Sequence, residues 1–229
     1  IVGGSSGVGL GAAELLSGLG ARVTIAGRDP ARLEAAARGL PESAATMVVD
    51  GCSDDSVAAM YAALGPFDDL VVTLAGKLGA GPFATTPLAE TRRAFEEKFW
   101  AHLRLAQGAL PTLAAAGSIT LVTGASGRRA SCPGGAGYAA MNGALDLLVP
   151  TLARELGPIR VNAVSPGLID TPWHDKPAAE RQAAFDTEAA QLPVGRIGQP
   201  ADVAQAILLT VANGFVTGSV IECDGGVRV

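Results

Sequence analysis

Seven short apolar runs, separated by helical patterns, limit what this chain can fold into more than any other feature. The runs are IV (1–2), ARVTIAG (21–27), TMVVD (46–50), DLVVTLAG (69–76), SITLVTG (118–124), IRVNAVS (159–165) and SVIEC (219–223). Helical patterns fall near 10–20, 29–40, 54–64, 86–110, 137–156 and 202–214. Consecutive parallel strands need a crossover, and right-handed crossovers cover both faces of a sheet with helices. The expectation is an α/β fold, a doubly wound parallel sheet, with 1–229 forming a single domain. In such sheets ligands bind outside the carboxyl ends of the strands.

Local signals agree with this rhythm. Leu10, Leu15, Leu16 and Leu19 share a helix face with Gly20 beyond it, and Asp29 followed by Pro30 reads as an N-cap and a first helical residue. Pro150 lies inside a helical pattern, where a kink is expected. Apolar residues make up 48% and charged residues 17% of the 229, which describes a large core in one globular unit. A net charge of −5 without any Lys or Arg run excludes an electrostatic footprint for nucleic acid or anionic membrane. The uncharged stretch 105–127 is broken by Pro111 and Gly117, far from a membrane span. Cys52, Cys132 and Cys223 are odd in number and lack ligand spacing, which points to packing roles, a reducing cytoplasmic location and no metal site. The chain opens at Ile1 within a strand end, so its natural start is expected upstream.

Between the first strand and the first helix lies GGSSGVG, with Gly3, Gly7 and Gly9 spaced GxxxGxG and Ser5, Ser6 and Val8 among them. Glycines here let the backbone approach a pyrophosphate while the helix N-terminus stabilises it; the bland alternative is a tight turn. After the second strand, where a carboxylate would bind an adenosine ribose, stands Arg28. A cation there favours a 2′-phosphate and hence NADP(H) over NAD(H), against the alternative of a solvated surface arginine. Asp50 ends the third strand, placed to accept from an adenine amino group or to cap the next helix. In YAAMN, Tyr138 and Asn142 lie four residues apart on one helix face. A tyrosine whose proton is to move needs a positive neighbour, and an amide supplies none.

With the glycine turn, Tyr138, RVNAVSPGLIDT (160–171) and GRIGQPADVA (195–204) in view, the chain resembles the short-chain dehydrogenase/reductase family from its first strand to VTGSVIECDGG (216–226). The resemblance implies a Rossmann-type sheet of seven parallel strands, a nicotinamide cofactor, carbonyl or alcohol substrates and frequently a homo-oligomer, dimer or tetramer. It implies that Pro166, Gly167, Ile169 and Thr171 meet the nicotinamide end, that Ala75 and Gly76 line the cofactor, and that 170–200 forms a substrate lid. The family pairs an acid/base tyrosine with a lysine four residues on, a serine after the fifth strand and an asparagine in the preceding long helix. Here Asn142 stands at the lysine position, and counting back from ALP (109–111) puts Lys98 at the asparagine position.

The two residues look exchanged between adjacent helices, so that Lys98 supplies the cation to Tyr138 and Asn142 takes the relay or ribose role. The bland reading makes Lys98 a solvated helix residue and Asn142 a core-edge amide. The serine position falls on Gly124 or Ala125, leaving Thr123 and Ser126 as the nearest hydroxyls, beside a turn GRRASCPGG (127–135) of altered length. In TLAG (73–76), Thr73 and Leu74 replace two amides that tie strands in the family. His102 lies one turn beyond Lys98, and Trp173 with His174 follows Thr171 as a substrate wall or subunit contact. The resulting expectation is an NADP(H)-dependent oxidoreductase with Tyr138 as acid/base. Its rival is a catalytically silent nucleotide-binding sensor or scaffold.

Overall fold

The computed structural model describes residues 1–127 and 133–229. Its elements run α1 (Gly7–Gly18), β1 (Thr24–Gly27), α2 (Pro30–Ala37), β2 (Ala45–Val48), α3 (Asp54–Leu64), β3 (Phe67–Val72), α4 (Leu88–Phe95), a π turn (Glu96–Trp100), α5 (Ala101–Ala109), β4 (Leu113–Val122), α6 (Ala136–Glu155), β5 (Arg160–Pro166), α7 (Ala178–Ala189), α8 (Pro200–Ala212) and β6 (Val220–Cys223). All strand pairs are parallel, β1 with β2 and β3-β4-β5-β6 in order. Val2 bridges the two sets, pairing with Ala26 on one side and Val72 on the other. The described residues thus hold six strands, and the central position of the expected seventh is filled by a two-residue stub too short for a ladder. Its backbone is nonetheless paired on both sides, Val2 N–H to Val71 O on the β3 side and Ala26 N–H to Ile1 O on the β1 side, each at 2.8 Å.

Strand side chains alternate between two cores. Leu70, Val72, Ile119, Leu121, Val161 and Ala163 pack under α3, α5 and α6. Val71, Val122 and Val164 turn to the other face, against Ala12 of α1 and Val203, Ala204 and Ile207 of α8. Period-two alternation with apolar residues on both sides is what a sheet covered on both faces requires. Asp29 caps α2, accepting from Arg32 N–H at 3.1 Å, and Pro30 opens the helix, as the sequence predicts.

Helix α6 runs through Pro150, as its pattern predicts. Two local features differ from the sequence reading. The predicted helix 86–110 is divided by the π turn. Ser53, not Asp50, caps α3, accepting from Ser56 N–H at 3.2 Å; Asp50 instead takes the Cys52 N–H, so its capping alternative is not realised. Of the turn 127–135, residues 128–132, including Cys132, lie outside the described residues. No described helix is long and apolar enough to cross a membrane.

Candidate active site

The carboxyl ends of the strands open into one cleft of ≈ 1240 Å³, lined by residues 3, 5–9, 27–29, 32, 49–52, 73–78, 97–98, 122–126, 138, 142, 166–169 and 171–174, among others. Every residue that the sequence proposed for cofactor or catalysis contributes to this wall.

At the glycine turn, α1 begins at Gly7, three residues earlier than its apolar pattern, and Ser6 makes no side-chain cap. Its first-turn N–H groups therefore face the cleft without a side-chain partner, which is the arrangement that favours an anion. Gly3 has φ +87, and a Cβ at Gly9 would lie 2.6 Å from Thr73 Oγ1, so neither position tolerates a side chain. Thr73, which replaces a strand-tying amide of the family, donates to Val2 O at 3.0 Å and performs that tie itself. Thr171 closes over the turn, with its Cγ2 3.2 Å from where a Cβ on Gly7 would stand.

Two arginines stand at the end of the cleft beside β1. Arg28 is exposed, and Arg32 Nη2 donates to Ser6 Oγ at 3.2 Å. Arg32 was not singled out from the sequence; its position in the first turn of the helix capped by Asp29 was the available signal.

At the opposite end, β4 delivers Thr123 to Ser126 and α6 delivers Tyr138 and Asn142. Asn142, 5% exposed, donates from Nδ2 to Ser126 Oγ at 2.9 Å, and its Oδ1 is buried without a protein partner. A Cβ on Gly124 would lie 2.9 Å from Asn142 Nδ2, so the amide occupies the space of a side chain at 124. Thr123 Oγ1 makes a long bond to Val164 O at 3.4 Å. Ser126, which accepts from Asn142, keeps its own O–H to donate into the cleft.

Lys98 is buried, 8% exposed, and its Nζ donates to Thr123 O at 2.9 Å, so it is not a solvated residue. Burial pulls its pKa down to about 8, opposed by the negative charge of Asp146. His102 accepts no solvent either: its Nδ1 lies 2.8 Å from Lys98 O, and burial, then the Lys98 charge, push it down to about 3, which keeps the ring neutral. The Tyr138 hydroxyl does not meet Lys98; it donates to Lys77 O at 2.9 Å. Burial first, and Glu90 second, hold this phenol above its ordinary pKa.

The segment after Thr171 leans on the same wall. Trp173 Nε1 donates to Gly76 O at 3.3 Å, its ring meets Tyr138 edge-on at 6.2 Å, and Asp175 pairs with Lys77. His174 continues the aromatic contact to Phe185 of α7, 5.3 Å between centroids, and burial lowers its pKa. Among the described residues no group of His, Cys, Asp and Glu is placed to hold a metal.

Comparison with known proteins fits this geometry. A family model described as enoyl-(acyl carrier protein) reductase matches residues 2–228. A short-chain dehydrogenase/reductase of Stachybotrys chlorohalonatus is 31% identical, over 99% of this chain and 94% of its own length. A small-chain dehydrogenase solved in complex with NADPH superposes with TM-score 0.83 at 31% identity, covering 99% of this chain and 96% of that one. An actinorhodin polyketide ketoreductase solved with NADPH superposes with TM-score 0.88 at 26% identity, covering 100% and 95%. The Rossmann-type sheet, the glycine turn at its centre and matches along nearly the full length lead to one assignment: the chain belongs to the short-chain dehydrogenase/reductase family of oxidoreductases.

Proposed function

We propose that the protein is an NADP(H)-dependent oxidoreductase that moves hydride between the nicotinamide and a carbonyl or alcohol carbon. The observation that carries this reading is that a buried ammonium, Lys98, and a phenol, Tyr138, open into the same cleft as the uncapped first turn of α1. The residues present fit a dinucleotide. Gly3 and Gly9 let the turn fold tightly against Thr73 where a Cβ would collide, Arg28 and Arg32 offer cations for a 2′-phosphate, and Asn142 Oδ1 is a buried acceptor that a ribose hydroxyl would satisfy. The nicotinamide, when bound, supplies or takes the hydride.

The chain's own residues handle the proton and the carbonyl oxygen. Tyr138 holds the proton on Oη; its raised pKa keeps it on the phenol in the resting cleft, which suits donation to a carbonyl oxygen. To act it turns away from Lys77 O. Ser126, with its O–H uncommitted, orients the substrate oxygen, and Thr123 lies alongside. For Lys98 to favour the phenolate left after donation, the freed hydroxyl has to swing to within ~4–6 Å of the ammonium, the range over which a cation lowers a phenol's pKa whichever helix carries it. Asn142 then takes the ribose or relay role. Pro166, Gly167 and Ile169 back the nicotinamide end, and Ala75 and Gly76 the facing wall. Exposed Leu88, Trp100 and Leu147 support a homo-oligomer as the working assembly.

The rival reading, a silent nucleotide-binding protein, draws on the Tyr138 bond to Lys77 O and the lack of a Lys98 contact. Both readings expect NADPH to raise the melting temperature. Only the enzyme oxidises NADPH with a member of a ketone and quinone panel, and Tyr138→Phe then lowers turnover by ~10²-fold or more, the scale of acid catalysis, while the NADPH-induced stabilisation persists. Full activity in Tyr138→Phe removes Tyr138 as the acid.

A further inference from the structure

Four aromatic rings form a row from the proposed acid into the segment after Thr171. Centroid spacings are 6.2 Å from Tyr138 to Trp173, 4.9 Å from Trp173 to His174 and 5.3 Å from His174 to Phe185, with interplanar angles of 61°, 80° and 85°. Each contact is edge-on, so none of these rings lies flat on the Trp173 indole, which lines the cleft and is 38% exposed. Its placement is fixed at both ends. The backbone turns on the bond from His174 N–H to Thr171 O at 3.1 Å, and the indole N–H donates to Gly76 O at 3.3 Å. A large flat ring is thus held beside Tyr138 with no ring stacked on it among the described residues.

The wall beyond it is apolar. Phe185, Leu192 and Ile197 form a core cluster of their own, with Leu168 and Val227 packed on it, apart from the two cores that flank the sheet. Of this cluster, Leu168, Leu192 and Val227 line the cleft. The charges beside it do not favour an anion. Lys77 is paired with Asp175, Glu188 of α7 brings a further carboxylate to the wall, and Lys98 is bound to Thr123 O on the β4 side. A polyhydroxylated ligand would find few partners here, because the indole N–H and the Lys77 carbonyl are already engaged and a polar group buried without a hydrogen bond is penalised. Ser126 and, once released, the Tyr138 hydroxyl supply donors for one carbonyl oxygen.

We propose that the substrate is an uncharged ketone conjugated to a flat ring, and that Trp173 selects it by stacking on that ring while the Tyr138 and Ser126 hydroxyls hold the oxygen. Because Tyr138 and Trp173 are neighbours, a carbonyl oxygen within hydrogen-bond reach of the phenol puts the group next to the carbonyl against the indole. A flat ring there gains the parallel contact that the indole lacks, and Leu168, Leu192 and Val227 take its far edge. This deepens the oxidoreductase reading and rests on it for turnover alone. The redox step is the one above: the carbonyl carbon gains the hydride, its oxygen gains the Tyr138 proton, and NADPH leaves as NADP⁺.

The test compares two ketones with the same fused carbon skeleton, α-tetralone with a flat ring and its fully saturated counterpart, decalone. Each is titrated calorimetrically into protein saturated with NADP⁺, where no turnover occurs. Both bury similar apolar area, so area alone predicts similar binding and the ratio of the two affinities reads the flat-face contact. The parent is expected to bind α-tetralone about three- to tenfold more tightly, Trp173→Leu to bring the ratio to about one, and Trp173→Phe to keep most of it. Equal binding of the two by the parent, no binding of α-tetralone at millimolar concentration, or a ratio that survives in Trp173→Leu overturns the proposal. With NADPH, turnover of open-chain or polyhydroxylated ketones in preference to α-tetralone overturns the substrate class and leaves the oxidoreductase reading intact. A protein that binds α-tetralone through Trp173 as expected yet reduces no ketone refutes the oxidoreductase reading and leaves the ring site standing.

Discussion

At position 124 a missing side chain decides where Asn142 sits. The amide leans into the space beside Gly124 and donates to Ser126, the hydroxyl proposed here for the role that the family's serine plays one or two residues earlier. Restoring a serine at 124 is therefore expected to harm rather than repair. Gly124→Ser should cost about 1–3 kcal/mol of stability through overpacking and lower turnover by displacing Asn142. An unchanged melting temperature together with equal or higher turnover would show that the amide does not need this space. Several residues of the cleft were legible beforehand because type and position both carried meaning: Tyr138, Lys98 and the glycines at a strand end. Others were not. Arg32 in the cleft, and Glu90, whose charge acts on Tyr138 from outside it, sit at ordinary helix positions, and what distinguishes them is their neighbours across the fold, which no spacing along the chain encodes. The partner of the Tyr138 hydroxyl, a backbone carbonyl at Lys77, was unreadable for the same reason.

Among the elements, α8 shows how local chemistry fixes a boundary near the cleft. Asp202 accepts the Gln199 N–H at 2.7 Å and a two-pronged contact from Arg196 at 2.7 and 2.8 Å, which together draw its pKa down to about 2. The Arg196 contact is the largest cause, followed by the Gln199 N–H. A carboxyl whose folded pKa lies below its unfolded value of 3.8 adds stability that is present above pH ~4 and is lost as pH falls through about 2. Asp202→Ala is expected to cost about 1 kcal/mol at pH 7 for the lost cap, seen as a lower urea midpoint, with the gap from the parent narrowing below pH ~4. A gap that stays constant with pH would assign the effect to packing. Most elements were visible from periodicity, since alternation in β3, β4 and β5 and caps such as Asp29 act within a few residues. The π turn was not, because EEKFW carries the same apolar spacing as an ordinary helix, and the widened turn, which packs against α6, leaves no mark in that spacing. Helix α7 was likewise hidden in a Pro- and charge-rich segment, 170–200, whose single buried helical residue, Phe185, gives almost no periodic signal.

For the molecule as a whole, nucleotide binding and stability are linked. A ligand at a hundred times its Kd adds about 2.7 kcal/mol to the folded state. For a chain of this length that is roughly 5–11 °C in melting temperature. NADPH is expected to produce such a shift at lower concentration than NADH. Arg28→Ala and Arg32→Ala should each weaken NADPH by about tenfold while leaving NADH nearly unchanged, and added salt should narrow the difference between the two nucleotides. NADH stabilising the parent protein at lower concentration than NADPH would reverse the cofactor assignment.

The two-residue segment Gly76–Lys77 receives three separate attachments: the Trp173 indole, the Tyr138 hydroxyl and the Asp175 carboxylate. If the segment after Thr171 serves as the proposed substrate lid, one narrow post holds both that lid and the proposed acid. Because the ion pair is exposed and the rest are single hydrogen bonds, none of these attachments is strong. A lid so fastened would be expected to open on the microsecond to millisecond scale of loop motion. Slow departure of any product would then be set by how tightly the product itself is gripped, and the moment the phenol is freed to be reprotonated would coincide with the moment the exit is open.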